Sequence, residues 1–378
     1  MMKVLHLATH LNPGGITNYI YSLIEPLKAL QCEIYIAAGG GELIPTFRSK
    51  GGTVFDLPMK TKSELNPKIY YCLPKILRII RENQIDLVHA HTRVTQVMAC
   101  WIQKMTGLPV VTTCHGFYKR RLGRRLFPAW GDMAVAISGP VGNHLRNDFR
   151  VPEDKVRLIN NGVNLSEIDS IYSQVEAGDM KAAYGLGRDA TVVGSVARLV
   201  SDKGHEYLIR SIAELRPKFP KIRLLIVGDG PHRHFLENLT GELGLRSHVT
   251  FTGTLSSREV IRALGAVDIF AMPATWREGF GLSIVEAMAC YKPVIVTNIW
   301  SLNSLVQNDV TGILIEPKQV RPLTASIQRL ILHEDVRRRI GHAAREMTER
   351  FFSISRMAQE MHGLYAELLA LKTKKGGA

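Results

Sequence analysis

The sequence predicts an α/β protein built from two doubly wound, parallel-sheet domains, and three observations predict it. Short, continuously apolar runs alternate with segments of helical periodicity along the whole chain. Runs of that kind are strands buried on both faces, the pattern of parallel sheets covered by helices. The series occurs twice, and 378 residues suffice for two domains of about 150–200 residues each.

The first series places strands near Val4–Ala8, Glu33–Ala37, Asp86–His89, Val110–Thr113, Met133–Ile137 and Val156–Ile159. Between the first two lies a helix whose inner face carries Ile16, Tyr19, Ile20, Leu23, Leu27 and Leu30. The second series places strands near Thr191–Val196, Ile222–Val227, Val249–Thr252, Ile269–Met272, Val294–Thr297 and Ile313–Ile315. The boundary falls after Asn160-Asn161-Gly162-Val163, giving domains 1–163 and 164–352, with the polar stretch Asp169–Met180 leading into the second sheet. Residues 353–371 form a terminal helix with Met357, Met361, Leu364, Tyr365 and Leu368 on one face, and 372–378 read as a disordered tail.

Composition excludes several classes. The chain is 46% hydrophobic and 22% charged, as in ordinary globular proteins. No apolar run approaches the roughly 20 residues needed to span a bilayer, and the first residues lack a signal peptide's apolar core, so a cytoplasmic protein is expected. Five cysteines without a C-x-x-C pair argue for a reducing compartment and against a zinc ribbon. The formal charge of +14 is uneven: residues 1–163 hold 21 Lys/Arg against 11 Asp/Glu. The densest run is Lys119, Arg120, Arg121, Arg124 and Arg125, beside Phe117, Tyr118, Phe127 and Trp130. Cations next to apolar side chains suit an anionic partner: a membrane surface, a phosphorylated glycan or nucleic acid. No RNA-binding aromatic motif, zinc finger or regular basic stripe accompanies them, so no nucleic-acid partner is expected.

The chemistry concentrates between Glu278 and Glu286, in E-G-F-G-L-S-I-V-E. A strand precedes this turn and an amphipathic helix follows it, with Ile284, Val285 and Met288 on the inner face. Backbone amides opening that helix, Gly281 and Leu282 among them, would meet a phosphate, and the helix dipole favours negative charge there. Gly279 and Gly281 let a ligand approach the backbone. Glu278 and Glu286, with Gly279 and Phe280 between them, would meet hydroxyl groups of the same ligand. Arg198 ends the strand V-V-G-S-V-A, and Lys203 follows five residues later at the next helix start. Two cations at such a place suit a diphosphate. Gly228-Asp229-Gly230 has Arg233 where a third dinucleotide-fold glycine would stand, so it reads as a turn and no nicotinamide cofactor is expected. No D-x-D motif and no His/Cys or carboxylate grouping of metal-site spacing is present. No metal or other cofactor is therefore expected, with Arg198 and Lys203 neutralising the phosphates.

The E-G-F-G-L-S-I-V-E segment resembles the donor-binding signature of the retaining family-4 glycosyltransferases, also called glycosyl transferases group 1. Other segments match that pattern in order along nearly the whole chain. The resemblance implies the GT-B fold: two Rossmann-like domains facing a central cleft, the first for acceptor and the second for nucleotide sugar, with the terminal helix crossing back to the first. It implies that Arg198 and Lys203 neutralise the nucleotide diphosphate. Gly14 and Gly15 in N-P-G-G would be the glycine loop facing the donor phosphates. His115, in T-T-C-H-G-F, would lie near the transferred sugar and act with Glu278 in catalysis. His89 and His91, in V-H-A-H, either line an acceptor cleft or end a strand. The expected enzyme is a retaining, metal-independent hexosyltransferase. It would use a UDP- or GDP-sugar and an acceptor of lipopolysaccharide, capsule or exopolysaccharide type. The rival readings are a sugar-nucleotide epimerase and a non-catalytic basic adaptor. Tyr291, where glycine is usual, and Trp300–Ser304, replacing a glycine-rich turn, depart from the pattern beside the expected sugar position.

Overall fold

The computed structural model describes all residues except Lys62, Leu65, Arg121, Arg277, Gly377 and Ala378, and the backbone alone of residues 374–376. Two compact units emerge: Met1–Gly162 with Ile354–Ala378, and Val163–Ser353.

The first unit opens with β1 (Met2–Leu7), α1 (Gly15–Ala29), β2 (Cys32–Ala38), α2 (Ile44–Ser49) and β3 (Thr53–Asp56). It continues with α3 (Pro67–Asn83), β4 (Leu87–Ala90), α4 (Arg93–Thr106), β5 (Val110–Cys114), α5 (Leu122–Leu126), β6 (Met133–Ala136), α6 (Gly139–Phe149) and β7 (Val156–Leu158). Its sheet is parallel in the order β3-β2-β1-β4-β5-β6-β7. Three of the helices, α3, α4 and α6, start where a short polar side chain caps them. Asn66 accepts from the Lys68 N–H ahead of Pro67, and Thr92 and Thr95 form a reciprocal capping box at α4. On one face of the sheet α3 and α4 bury Ile69, Leu73, Ile76, Met98 and Ile102 against Leu5, Leu7, Val88 and Val110. Each such side chain contributes about 1.5–3 kcal/mol through its removal from water. The strand absent from the sequence reading is β3. It is an edge strand of four residues in which only Val54 is buried, so it carries neither a continuous apolar run nor a clear alternation.

The second unit contains α7 (Leu165–Tyr172), α8 (Ala177–Ala183), β8 (Thr191–Val196), α9 (His205–Leu215), β9 (Ile222–Val227), α10 (Arg233–Glu242) and β10 (Val249–Gly253). There follow α11 (Ser257–Gly265), β11 (Ile269–Met272), α12 (Leu282–Ala289), β12 (Val294–Thr297), β13 (Ile313–Ile315), α13 (Val320–Leu332) and α14 (Glu334–Phe351). Its parallel sheet runs β10-β9-β8-β11-β12-β13. The polar stretch Asp169–Met180 is not an open connection. Helix α7 buries Ile168 and Ile171, and the buried Lys181 of α8 donates to the Ala190 carbonyl at 2.8 Å and pairs with Asp268 at 2.9 Å.

The chain then returns to the first unit as α15 (Ile354–Gly376). Met357, Met361, Leu364, Tyr365 and Leu368 are buried on its inner face. The helix continues through the residues expected to form a disordered tail, because Lys372–Lys375 offers no helix-breaking residue before Gly376.

Candidate active site

In the second unit the strand order reverses between β8 and β11, where open parallel sheets offer a ligand site at their carboxyl ends. The loops leaving these two strands carry Arg198 and Lys203 on one side and Glu278 on the other. They are stitched together by the backbone. The Thr275 N–H donates to the Asp202 carbonyl at 2.8 Å. Gly204, at φ +70°, lets the first loop pass so close that a Cβ there would lie 2.0 Å from the Pro273 carbonyl oxygen. Lys203 therefore bonds directly to the Glu278 carboxylate through its Nζ. Arg198 is exposed, and no ion-pair partner holds its side chain among the described residues.

The Glu278 N–H donates to Ser301 Oγ at 3.0 Å. Gly279 continues the turn, and Gly281, at φ +95°, caps α12, so Leu282 is the first helical residue. Among the described residues no side chain caps this helix, which leaves its first amides for a ligand. Phe280 differs from the expectation of a sugar contact: its ring is buried and meets the Phe352 ring edge-on at 5.7 Å. A flat aromatic side chain at this turn anchors the loop in the core, leaving only its backbone to face a ligand. Glu286 lies one turn into α12. Its surface is only partly covered, yet protein atoms surround its carboxyl, and this desolvation pushes the group up to about 7. Among the described residues nothing hydrogen-bonds to it.

Two departures separate. Ser301 and Leu302 do lie against the Glu278–Gly281 turn. Tyr291 lies past the opposite end of α12, with its ring centre 5.2 Å from that of His342 and 5.2 Å from the Arg345 guanidinium carbon. It stands at φ +58°, which explains why glycine suits the position: only a left-handed residue closes the helix there. Gly228-Asp229-Gly230 is a packing turn, with the Leu199 N–H donating to the Asp229 carbonyl at 3.0 Å.

In the first unit the order reverses between β1 and β4. Gly14 and Gly15 open α1 beside this point, and a Cβ on either would meet nothing within 4 Å. His115 follows β5 and is not alone. His91 Nδ1 lies 3.2 Å from His115 Nε2, and His6 Nδ1 lies 2.9 Å from His91 Nε2. His89 hydrogen-bonds Tyr365 OH at 2.6 Å and Thr113 Oγ1 at 2.7 Å. Burial holds His6 and His115 down at about 3, and His89 and His91 well below the usual range, so all four are neutral. Sequence reasoning missed His6. The signal is its register: His6 on β1 lies opposite His89 on β4, a pairing visible only once those strands are known to be neighbours. No metal-site spacing is visible in the sequence, yet strand pairing gathers three histidines. The ligating atoms of His6, His89 and His91 lie within 4.8 Å of one another. Both nitrogens of His89 and of His91 are nevertheless already engaged.

The basic run divides. Lys119, Arg120 and Arg125 are exposed, with Leu122 and Leu126 exposed between and beside them. Arg121 lies outside the described residues. Arg124, expected on the surface, is buried: its guanidinium sits 3.9 Å from the Tyr118 ring centre and 5.2 Å from that of Trp130, and donates to Gln96 Oε1. Of the neighbouring aromatics, Tyr118 and Trp130 are its cage rather than a membrane-facing flank. Among the described residues no helix is long and apolar enough to cross a membrane.

Comparison with known proteins agrees with this architecture. Residues 178–347 match the family described as glycosyl transferases group 1, and residues 13–167 match glycosyltransferase family 4. An uncharacterized glycosyltransferase of Methanocaldococcus jannaschii is 26% identical over 93% of this chain and 94% of its own. The crystal structure of a glycosyltransferase from Rickettsia africae superposes with a TM-score of 0.87 at 23% identity, covering 97% of this chain and 98% of that one. Anabaena HepE in complex with UDP-glucose superposes at 0.80 and 22% identity, over 98% of this chain and 100% of its own. With each unit matched by its own half of one enzyme family, the chain belongs to the group 1 glycosyltransferases of family 4 and is a glycosyltransferase.

Proposed function

We propose that the protein is a retaining glycosyltransferase that takes a sugar from a UDP- or GDP-sugar without a metal ion. We propose further that it delivers this sugar to a lipid-linked or envelope glycan. One observation carries the donor half of this reading: Lys203 and Glu278 meet at the strand-order reversal of the second unit, with exposed Arg198 on the same loop and Glu286 unpartnered on the helix that follows. Cations and open helix amides suit a diphosphate, and carboxylates suit hydroxyl groups.

In this reading Arg198 and Lys203 hold the diphosphate and stabilise the charge it gains as the bond to the sugar breaks. Glu286 accepts hydrogen bonds from ribose hydroxyls. Glu278, fixed by Lys203 and by Ser301, orients the sugar. The acceptor oxygen bonds to the sugar on the face the diphosphate leaves, and its proton goes to the departing phosphate oxygen. His115 is neutral and serves as a hydrogen-bonding group to the sugar. The two cations do the neutralising work that a divalent metal does elsewhere. On the first unit, Lys119, Arg120 and Arg125 with Leu122 and Leu126 support an anionic acceptor or membrane surface, and a place at the inner face of a membrane.

A thermal-shift panel of nucleotide sugars, followed by mass spectrometry of glycosylated products with and without EDTA, tests the proposal. Stabilisation by a UDP- or GDP-sugar and a product formed in EDTA are expected. Loss of product in EDTA, restored by magnesium or manganese, overturns the metal-free part.

A further inference from the structure

The histidines of the first unit form a directed chain. His115 Nε2 bonds to His91 Nδ1, and His91 Nε2 bonds to His6 Nδ1. Each link joins the ε nitrogen of one ring to the δ nitrogen of the next. A neutral imidazole has one donor and one acceptor nitrogen. The three rings must therefore carry their protons on the same atom, all on Nδ1 or all on Nε2; a mixed set would leave two donors or two acceptors face to face. At the far end, His6 Nε2 is buried with no partner. If the protons were on Nε2, that end would be an orphaned buried N–H, the rarer kind of unpaired group. With the protons on Nδ1 it is a lone pair.

We propose that His91 and His6 are positioning residues that hold His115 in the Nδ1–H tautomer, so that it offers a fixed, uncharged donor to the substrate. The substrate role rests on the reading of His115 given above; the tautomer does not. Packing supports the same task. Tyr19 meets the His115 ring edge-on at 4.7 Å, and the hydrogen-bonded His6 and His91 rings lie nearly parallel, with 9° between their planes and centres 5.1 Å apart. His89, tied to Tyr365 and Thr113, closes the cluster 4.2 Å from the His91 ring. A neutral donor of fixed direction stabilises charge developing on a sugar or phosphate oxygen without reorganising during the reaction.

The test reads the protons directly, without substrate. In full-length protein labelled with 15N-histidine, long-range 1H–15N spectra report which ring nitrogen is protonated, and the His115→Gln, His91→Phe and His6→Phe variants assign the signals. His6, His91 and His115 are all expected as Nδ1–H, unchanged from pH 8 to pH 5. His91→Phe keeps an aromatic ring in the cluster and removes both links; at least half of His115 is then expected to shift to Nε2–H. His6→Asn keeps a donor near the Nδ1 position and is expected to retain the wild-type tautomer of His115. It also covers the case in which His91→Phe does not fold. His115 found as Nε2–H, a mixed set of tautomers, an unchanged His115 in His91→Phe, or one equivalent of metal in the purified protein each overturns the proposal. Full turnover by His115→Ala would instead remove its role at the sugar and leave the tautomer result standing.

Discussion

The Glu286 carboxyl, raised to about 7 by desolvation, should make donor binding depend on pH near neutrality. Ribose hydroxyls donate best to the ionised form, so binding should release a proton and tighten as pH rises through 7. UDP-glucose affinity, measured by calorimetry, is expected to gain about tenfold from pH 6 to pH 8, and Glu286→Gln should be weaker and flat. Equal slopes in both proteins would remove Glu286 from the nucleotide site. Arg198 and Lys203 should behave differently from one another. Arg198→Ala deletes an exposed cation and should cost about 1.5–3 kcal/mol of diphosphate affinity, roughly ten- to hundredfold. Lys203→Ala costs the same contact and also frees Glu278 to repel the phosphates, so its loss should be the larger. Lys203→Ala with Glu278→Gln should recover part of it, and calorimetry of the two variants checks the order.

At the scale of elements, α5 separates the readings of the basic run. Arg120→Gln, Lys119→Gln and Arg125→Gln together should abolish sedimentation with anionic vesicles and leave the melting temperature alone, at about 1 kcal/mol of membrane contact per charge. Arg124→Gln should do the reverse, because it empties a cage of Tyr118, Trp130 and Phe149 and leaves buried polar groups unpaired. A drop of several degrees in melting temperature with vesicle binding intact is expected. The same element shows where sequence reading stops. A run of arginines is uniform as letters, and only the fold decides which side chain turns inward. By contrast, the strand-like runs at Thr191–Val196 and Ile269–Met272 were legible. So were the loops that follow them, since a ligand site at strand ends needs no side-chain detail. Edge strand β3, the inward ring of Phe280 and the left-handed Tyr291 were not, because each is set by tertiary neighbours rather than by local pattern.

For the whole molecule, the buried histidines set the acid limit of stability. Their folded values lie below the ordinary 6.5, so the unfolded chain binds more protons between pH 6.5 and about 3. The stability they permit is full above pH 6.5 and is lost as pH falls through that window. The loss is on the order of 1.4 kcal/mol per pH unit for each imidazole that stays neutral. Urea unfolding followed from pH 7 to pH 4 should show this slope. His6→Phe should make the first unit less acid-sensitive; an unchanged slope would mean the cluster is open to water.

Helix α15 has a consequence for how this protein comes off the ribosome. Its Tyr365 hydroxyl completes the bonding of His89, and its apolar face packs on α1. The first unit is therefore incomplete until residues 354–376 have emerged, whereas residues 163–353 form a compact unit of their own. The nascent first unit must wait, through the whole synthesis of the second, with an uncovered stripe along α1 and a histidine missing a partner. A chain ended after Ser353 should reproduce that waiting state. Limited proteolysis is expected to cut its first 162 residues readily while residues 163–353 stay protected. A chaperone that binds exposed apolar surface should hold this truncated chain and release the full-length one. Helix α15 thus couples completion of the first unit to the prior synthesis of the second.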